Sequence, residues 1–170
     1  MTFVQRMVGA AKFSSSAYED VEADRGATGQ ALAVVVLSSL AAGVGAGTGL
    51  SGLVVGTVLS LVGWLVWAVL IYLIGARWLP EPGTQSDTGE LMRTIGFATS
   101  PGILRVVGIV PFLTSIVFFV TAFWMLATMV VGVRQALDYK STWRALGVCL
   151  LGWIVQFVAF ILLLRLVPSP

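Results

Sequence analysis

The sequence predicts an all-α, polytopic integral membrane protein: a bundle of five transmembrane helices, with the amino terminus in the cytoplasm and the carboxyl terminus outside. Three observations carry this prediction. Of 170 residues, 58% are hydrophobic and only 11% charged, with a mean hydropathy of +0.97. A water-soluble domain carries about 25% charged residues. The apolar residues also gather into tracts near the length a bilayer helix needs, about 17–25 residues. Finally, the lysines and arginines cluster between alternate tracts, as the positive-inside rule requires.

Residues 1–29 read as a cytosolic helical segment, and residues 30–167 as the membrane domain. On a helical wheel Phe3, Val4, Met7, Val8 and Ala11 share one arc, while Arg6, Gly9 and Lys12 lie elsewhere, the pattern of a short interfacial helix. Phe13 falls off that arc, so this helix should end before it. Ser16 and Glu19 fit a capping box that opens an acidic helix over Ala17–Arg25, closed by Gly26. The start has no apolar leader region, so the mature protein is expected to keep it and to use its first span as the insertion signal.

The first two spans, Gln30–Ala46 and Leu50–Ile74, contain no charge and are separated by a glycine-rich stretch, which predicts a tight helical hairpin. Gly75–Arg93 holds Pro80, Pro82 and Gly83 and reads as a solvent loop. The third span, Arg93–Val110, is interrupted by Pro101 and Gly102. Pro111 is placed to restart a helix, giving a fourth span over Phe112–Val133. Arg134–Arg144 is a polar loop where Ser141 or Thr142 could cap the last span, Ala145–Val167. Five crossings put eight basic residues (Arg6, Lys12, Arg25, Arg77, Arg93, Arg134, Lys140 and Arg144) on the amino-terminal side and only Arg105 and Arg165 near the other. A four-span alternative, with Arg93–Val110 re-entrant, puts Arg134–Arg144 outside and is disfavoured by the same rule.

The composition also excludes chemistry. There is no histidine, and the one cysteine, Cys149, lies in an apolar run and reads as a buried small hydrophobe. No metal or cofactor site and no catalytic residue is predicted, and the +2 net charge gives no case for nucleic acid. No aspartate, glutamate or lysine lies within a span, which argues against proton- or cation-coupled transport. The intramembrane charges are Arg105 and Arg165. Each can snorkel to the outer interface, share an anionic lipid headgroup or partner carboxylate, or bond backbone freed at Pro101. The Pro101–Gly102 break is either a kink satisfied by Thr99 and Ser100 or part of a substrate site; the kink is the simpler reading. Gly52, Gly56 and Ser60 form a small-residue stripe suited to helix packing within the chain or to a homodimer seam. Trp78, Tyr139 and Trp143 suit an interfacial belt. Trp64, Trp67, Trp124 and Trp153 lie deeper, and Gln156 suits an interhelical hydrogen bond.

Three segments carry a resemblance: the acidic run Ala17–Asp24, the stretch Leu91-Met92-Arg93-Thr94-Ile95-Gly96-Phe97-Ala98-Thr99-Ser100-Pro101, and Ser141-Thr142-Trp143-Arg144-Ala145-Leu146 opening the last span. Over about residues 15–167 the chain resembles the Yip domain family, the Ypt/Rab-interacting membrane proteins, in a short prokaryotic form. The resemblance implies five spans, a cytosolic amino terminus and no catalytic residues. Eukaryotic members act in vesicle trafficking and bind small GTPases. This chain lacks their long amino-terminal region and Asp-Leu-Tyr-Gly-Pro signature, which argues against GTPase recruitment. The leading functional expectation is a non-enzymatic membrane-organising scaffold in the cell membrane, with Glu19 and Asp20 on its docking surface for membrane or membrane-associated proteins. The alternatives are an accessory subunit of a larger membrane complex, and a lipid or solute transporter using the Pro101 break and Arg105.

Overall fold

The computed structural model describes residues 1–166, without the side chains of Phe160 and residues 162–166. The expectations for Arg165 and for an external carboxyl terminus therefore lie outside the described side chains and residues. All regular structure among the described residues is helical. Helix α1 spans Phe3–Ala11, opened by a capping box between Thr2 and Gln5. It ends at Phe13, whose φ of 62° lets Ser14 N–H reach the Gly9 carbonyl at 2.9 Å. This six-to-one closure satisfies carbonyls that the last turn leaves open.

Helix α2 spans Ser15–Ala23, and its N-cap is Ser14, whose hydroxyl accepts from Ala17 N–H at 3.4 Å. The Ser16–Glu19 capping box is thus corrected. The Phe13 turn delivers the chain in extended conformation at Ser14, two residues before the expected cap, and Glu19 is left free to turn elsewhere.

Helix α3 (Ala27–Gly45) and helix α4 (Gly49–Ile71) form the glycine-linked hairpin. The turn requires glycine: Gly47 and Gly49 have φ of +65° and +70°, a region side chains disfavour. Helix α4 widens into a π-helical turn over Tyr72–Trp78, so the apolar helix runs past its expected end at Ile74. Tyr139, expected in an interfacial belt, is instead buried and ties this end down. Its hydroxyl donates towards the Gly75 and Leu79 carbonyls, each at 2.8 Å. Trp78 and Trp143 are exposed.

The expected third span is not one α-helix. Helix α5 covers Thr88–Ala98, capped by a reciprocal Asp87–Glu90 box, and a 3-10 segment continues over Ser100–Ile109. Residues 88–92, read as loop, are therefore helical. Pro101 has no N–H for the Phe97 carbonyl, and Ser100 Oγ donates to that carbonyl at 2.6 Å. Thr99 Oγ1 does the same for Gly96 at 2.7 Å. Pro101 and Gly102 are buried in this joint. Helix α6 starts at Thr114 and runs to Ala136, so Pro111 lies in the turn before it and not in its first turn. Helix α7 spans Thr142–Leu166.

Four helices are long and apolar enough to cross a membrane: α3, α4 with its π turn, α6 and α7. The α5–3-10 unit is not among them by helix length. It nevertheless runs beside α3 in the same direction for most of that helix's length. A Cβ on Gly96 would lie 2.7 Å from Ala31 Cβ, one on Gly102 would overlap Ser38 Oγ, and one on Gly45 would overlap the Arg105 carbonyl oxygen. Helix α6 returns antiparallel, with Thr128 Oγ1 donating to the Ala98 carbonyl at 2.7 Å and Arg105 Nε to Thr121 Oγ1 at 3.1 Å. Close backbone approach of this kind is what drives helix association in lipid, where apolar burial adds little.

Candidate functional site

Two features stand out, one at each end of the bundle. At the amino-terminal end, α1 and α2 are not a free tail. They fold as a helical hairpin onto α5 and α6, and their buried residues Ala10, Tyr18 and Val21 belong to the same apolar core as Leu91, Phe97 and Val133. Polar side chains lock the seat. Tyr18 Oη donates to the Thr128 carbonyl at 3.0 Å, Trp124 Nε1 to the Ala11 carbonyl at 2.7 Å, and Phe3 meets Phe97 edge to face at 6.2 Å. Arg93 is only 5% exposed and donates to the Val21 carbonyl at 3.1 Å and to the Glu22 carbonyl. It thereby caps the end of α2 with a cation, where the helix dipole favours one.

Arg6, which the helical wheel puts off the apolar face, is also 5% exposed. Its Nε donates to Asp20 at 2.7 Å, its Nη2 to Asp24 at 2.8 Å and its Nη1 to Gln30 at 3.0 Å. Hydrogen bonds from Arg6 hold both carboxyls below the usual range. Glu19 accepts from Gln135 Nε2 at 3.0 Å. The two acidic residues expected to dock a partner are thus engaged within the chain.

Glu22 behaves differently. Burial raises its carboxyl to about 7, reinforced by Asp138, Glu90 and Glu19 and opposed by Arg93. The folded chain therefore holds this proton more tightly than the unfolded one. The resulting stability is fully present below the ordinary value of 4.5 and is lost as pH rises through about 7. We expect the thermal midpoint in detergent to fall between pH 5 and pH 8, and Glu22→Gln to flatten that fall. An equal slope in the variant would assign the effect to another group.

Towards the other end, α3, α4, the 3-10 segment, α6 and α7 surround a groove of about 540 Å³. Gly52, Gly56, Ser60 and Gly63 form its α4 wall, so among the described residues the stripe faces the groove and not a packed helix. Among the described residues a Cβ on Gly56 or Gly63 would have no neighbour within 4 Å, while that of Gly52 would meet only Thr48 at the start of its own helix. The α3–α4 contact lies to one side, through Ser39 and Thr57, whose hydroxyls are 3.1 Å apart. Arg105 enters the groove half-buried. Its guanidinium carbon lies 5.3 Å from the Phe118 ring centre and only its Nε is bonded, to Thr121. It is folded inward rather than snorkelling freely, and no carboxylate among the described residues pairs with it.

The deep end of the groove is closed by Trp64, Trp67 and Trp153. Trp64 Nε1 donates to the Met92 carbonyl at 2.9 Å, whereas Trp67 Nε1 is buried with no acceptor. Gln156 is exposed on the groove wall and makes no hydrogen bond among the described residues, contrary to the interhelical bond expected of it. Sequence reasoning missed Arg6, Tyr18, Arg93 and Trp124 as the hairpin's fasteners. Their partners lie 8 to 113 residues away, beyond any helical repeat.

A Yip1 domain model matches residues 12–164, which spans α2, the whole membrane bundle and the groove. No curated protein and no solved structure matches the chain. With a family model covering nearly all of its length, this chain belongs to the Yip1 domain family of membrane proteins.

Proposed function

We propose that the chain is a non-enzymatic, five-crossing protein of the cell membrane that organises the bilayer through its amino-terminal hairpin. The observation that carries this reading is the way the hairpin is turned. Arg6, Asp20 and Asp24 are spent on one another within the hairpin and Tyr18 on the bundle, while Val4, Val8 and Phe13 are 64%, 46% and 44% exposed. The large exposed apolar residues of α6 stop at Phe123, and the hairpin covers the helix beyond that point. Its outer face thus continues the lipid-facing surface, and an amphipathic helix held there displaces lipid from one leaflet only. The exposed start of α2, with Ser15 and Ser16, is left for membrane-associated protein partners on the cytosolic side.

Five crossings follow if the α5–3-10 unit counts as one. At 1.5 Å per residue for α5 and about 2.0 Å for the 3-10 segment it reaches about 36 Å, against about 30 Å of hydrocarbon. The basic residues then favour a cytosolic amino terminus.

Single-cysteine variants in a Cys149→Ser background test both parts. A solvatochromic probe at Val8→Cys should report a lipid environment. An impermeant thiol reagent should reach Ala46→Cys only from outside and Lys140→Cys only from the cytosol. A water-exposed probe at residue 8 would remove the leaflet role, and labelling of both loops from one face would remove the five crossings.

A further inference from the structure

The groove carries an inference independent of the hairpin. An arginine half-buried at the outer end of a membrane bundle with no carboxylate beside it leaves its charge unpaired unless an anion reaches it, and such residues mark ligand paths. Arg105 has that position, and its two Nη groups make no hydrogen bond to the described residues while its Nε is anchored on Thr121. The anchor aims the planar fork, which suits two oxygens of one phosphate. The groove beyond is shaped for a chain. Gly43 packs Leu53 and Gly45 packs the Arg105 main chain, so Arg105 lies level with the Gly52 end of the α4 wall. From Gly52 to Gly63 that wall extends about 16 Å, close to half of a hydrocarbon core about 30 Å thick. Open space at Gly56 and Gly63 is where a narrow, flexible occupant fits.

We infer that this groove binds an anionic phospholipid of the leaflet opposite the hairpin. Its phosphate is held by Arg105, and one acyl chain lies along Gly52, Gly56, Ser60 and Gly63 to end against Trp67. Charge decides between this occupant and the alternative, a helix from a second copy on the small-residue stripe. A second apolar helix would leave the guanidinium unpaired, whereas a phosphate pairs it.

The test uses the full chain in mild detergent, titrated with phosphatidylglycerol or phosphatidylcholine carrying the same brominated acyl chains. Bromine in the groove quenches the indoles of Trp64, Trp67 and Trp153. Quenching should need about tenfold less phosphatidylglycerol than phosphatidylcholine, because the choline cation neutralises its own phosphate and weakens the charge-assisted pair with Arg105. Arg105→Gln should make the two lipids equal. Gly56→Leu should fill the channel and remove the saturable quenching by both, and because no described residue adjoins Gly56 it should leave the fold intact by circular dichroism. Inorganic phosphate should not compete, since it lacks the chain. Equal quenching by the two lipids in the unmodified protein would overturn the proposal, as would saturable quenching unchanged by Gly56→Leu. A dimer that Gly56→Leu dissociates, with no lipid preference, would assign the groove to a second copy.

Discussion

Arg93→Met should release the amino-terminal hairpin from the bundle while leaving the membrane helices folded. Arg93 is the link that serves α2 from α5: it satisfies the last carbonyls of one helix from the buried face of another. Methionine keeps much of the volume but leaves those carbonyls without a donor, at a cost of about 2 kcal/mol or more. It also removes the cation that opposes the raised Glu22 carboxyl. Lys12 is exposed at the tip of the hairpin, so trypsin reports its opening. If the hairpin recloses faster than it is cut, cleavage after Lys12 should accelerate roughly thirtyfold. Arg93→Lys should be intermediate, because an ammonium keeps the charge without the fork. Unchanged cleavage in Arg93→Met would show that Tyr18, Trp124 and the Arg6 cluster hold the hairpin unaided.

Gly45→Val should be the most damaging single change within the bundle. A Cβ there would overlap the carbonyl of Arg105, and backbone cannot rotate out of the way as a side chain can. The contact is mutual, since a Cβ on Gly108 would lie 3.1 Å from the Gly45 carbonyl oxygen. Separating α3 from the 3-10 segment forfeits the close packing that holds helices together in lipid. We expect a loss of about 3 kcal/mol or more in a detergent unfolding titration. Gly56→Ala, facing open space, should change stability by less than about 0.5 kcal/mol. Equal losses at the two positions would mean that the groove closes in solution.

The contrast between those glycines shows what the sequence could and could not disclose. The helices α3, α4, α6 and α7 were legible because hydropathy over about 20 residues is a property of each tract by itself. The break at Pro101 was legible for the same local reason, down to the hydroxyls that repair it. Gly45 and Gly56 look alike in the chain, yet one touches backbone and the other touches none of the described residues. That difference belongs to the arrangement of helices, not to either residue. Arg6 was misplaced on the wheel because the wheel assumes that charge faces water, and Asp20, Asp24 and Gln30 supply a buried alternative. Arg105 was singled out from its depth alone, but its inward direction is set by Thr121 and Phe118 on another helix.

The 3-10 segment has a property that its α-helical neighbours lack. With three residues per turn, positions three apart stand directly above one another. Gly102, Arg105 and Gly108 therefore form a single vertical file, one notch for the Ser38 side chain and one for the Gly45 backbone with Arg105 set between them. In an α-helix the same spacing would swing the file about a third of the way round over those six residues. The segment works as a ruler graduated in threes. It accepts exchanges of one side chain for another between the graduations, but an added or deleted residue rotates everything beyond it by 120°, presenting the charge to the acyl chains and a bulky side chain to Gly45.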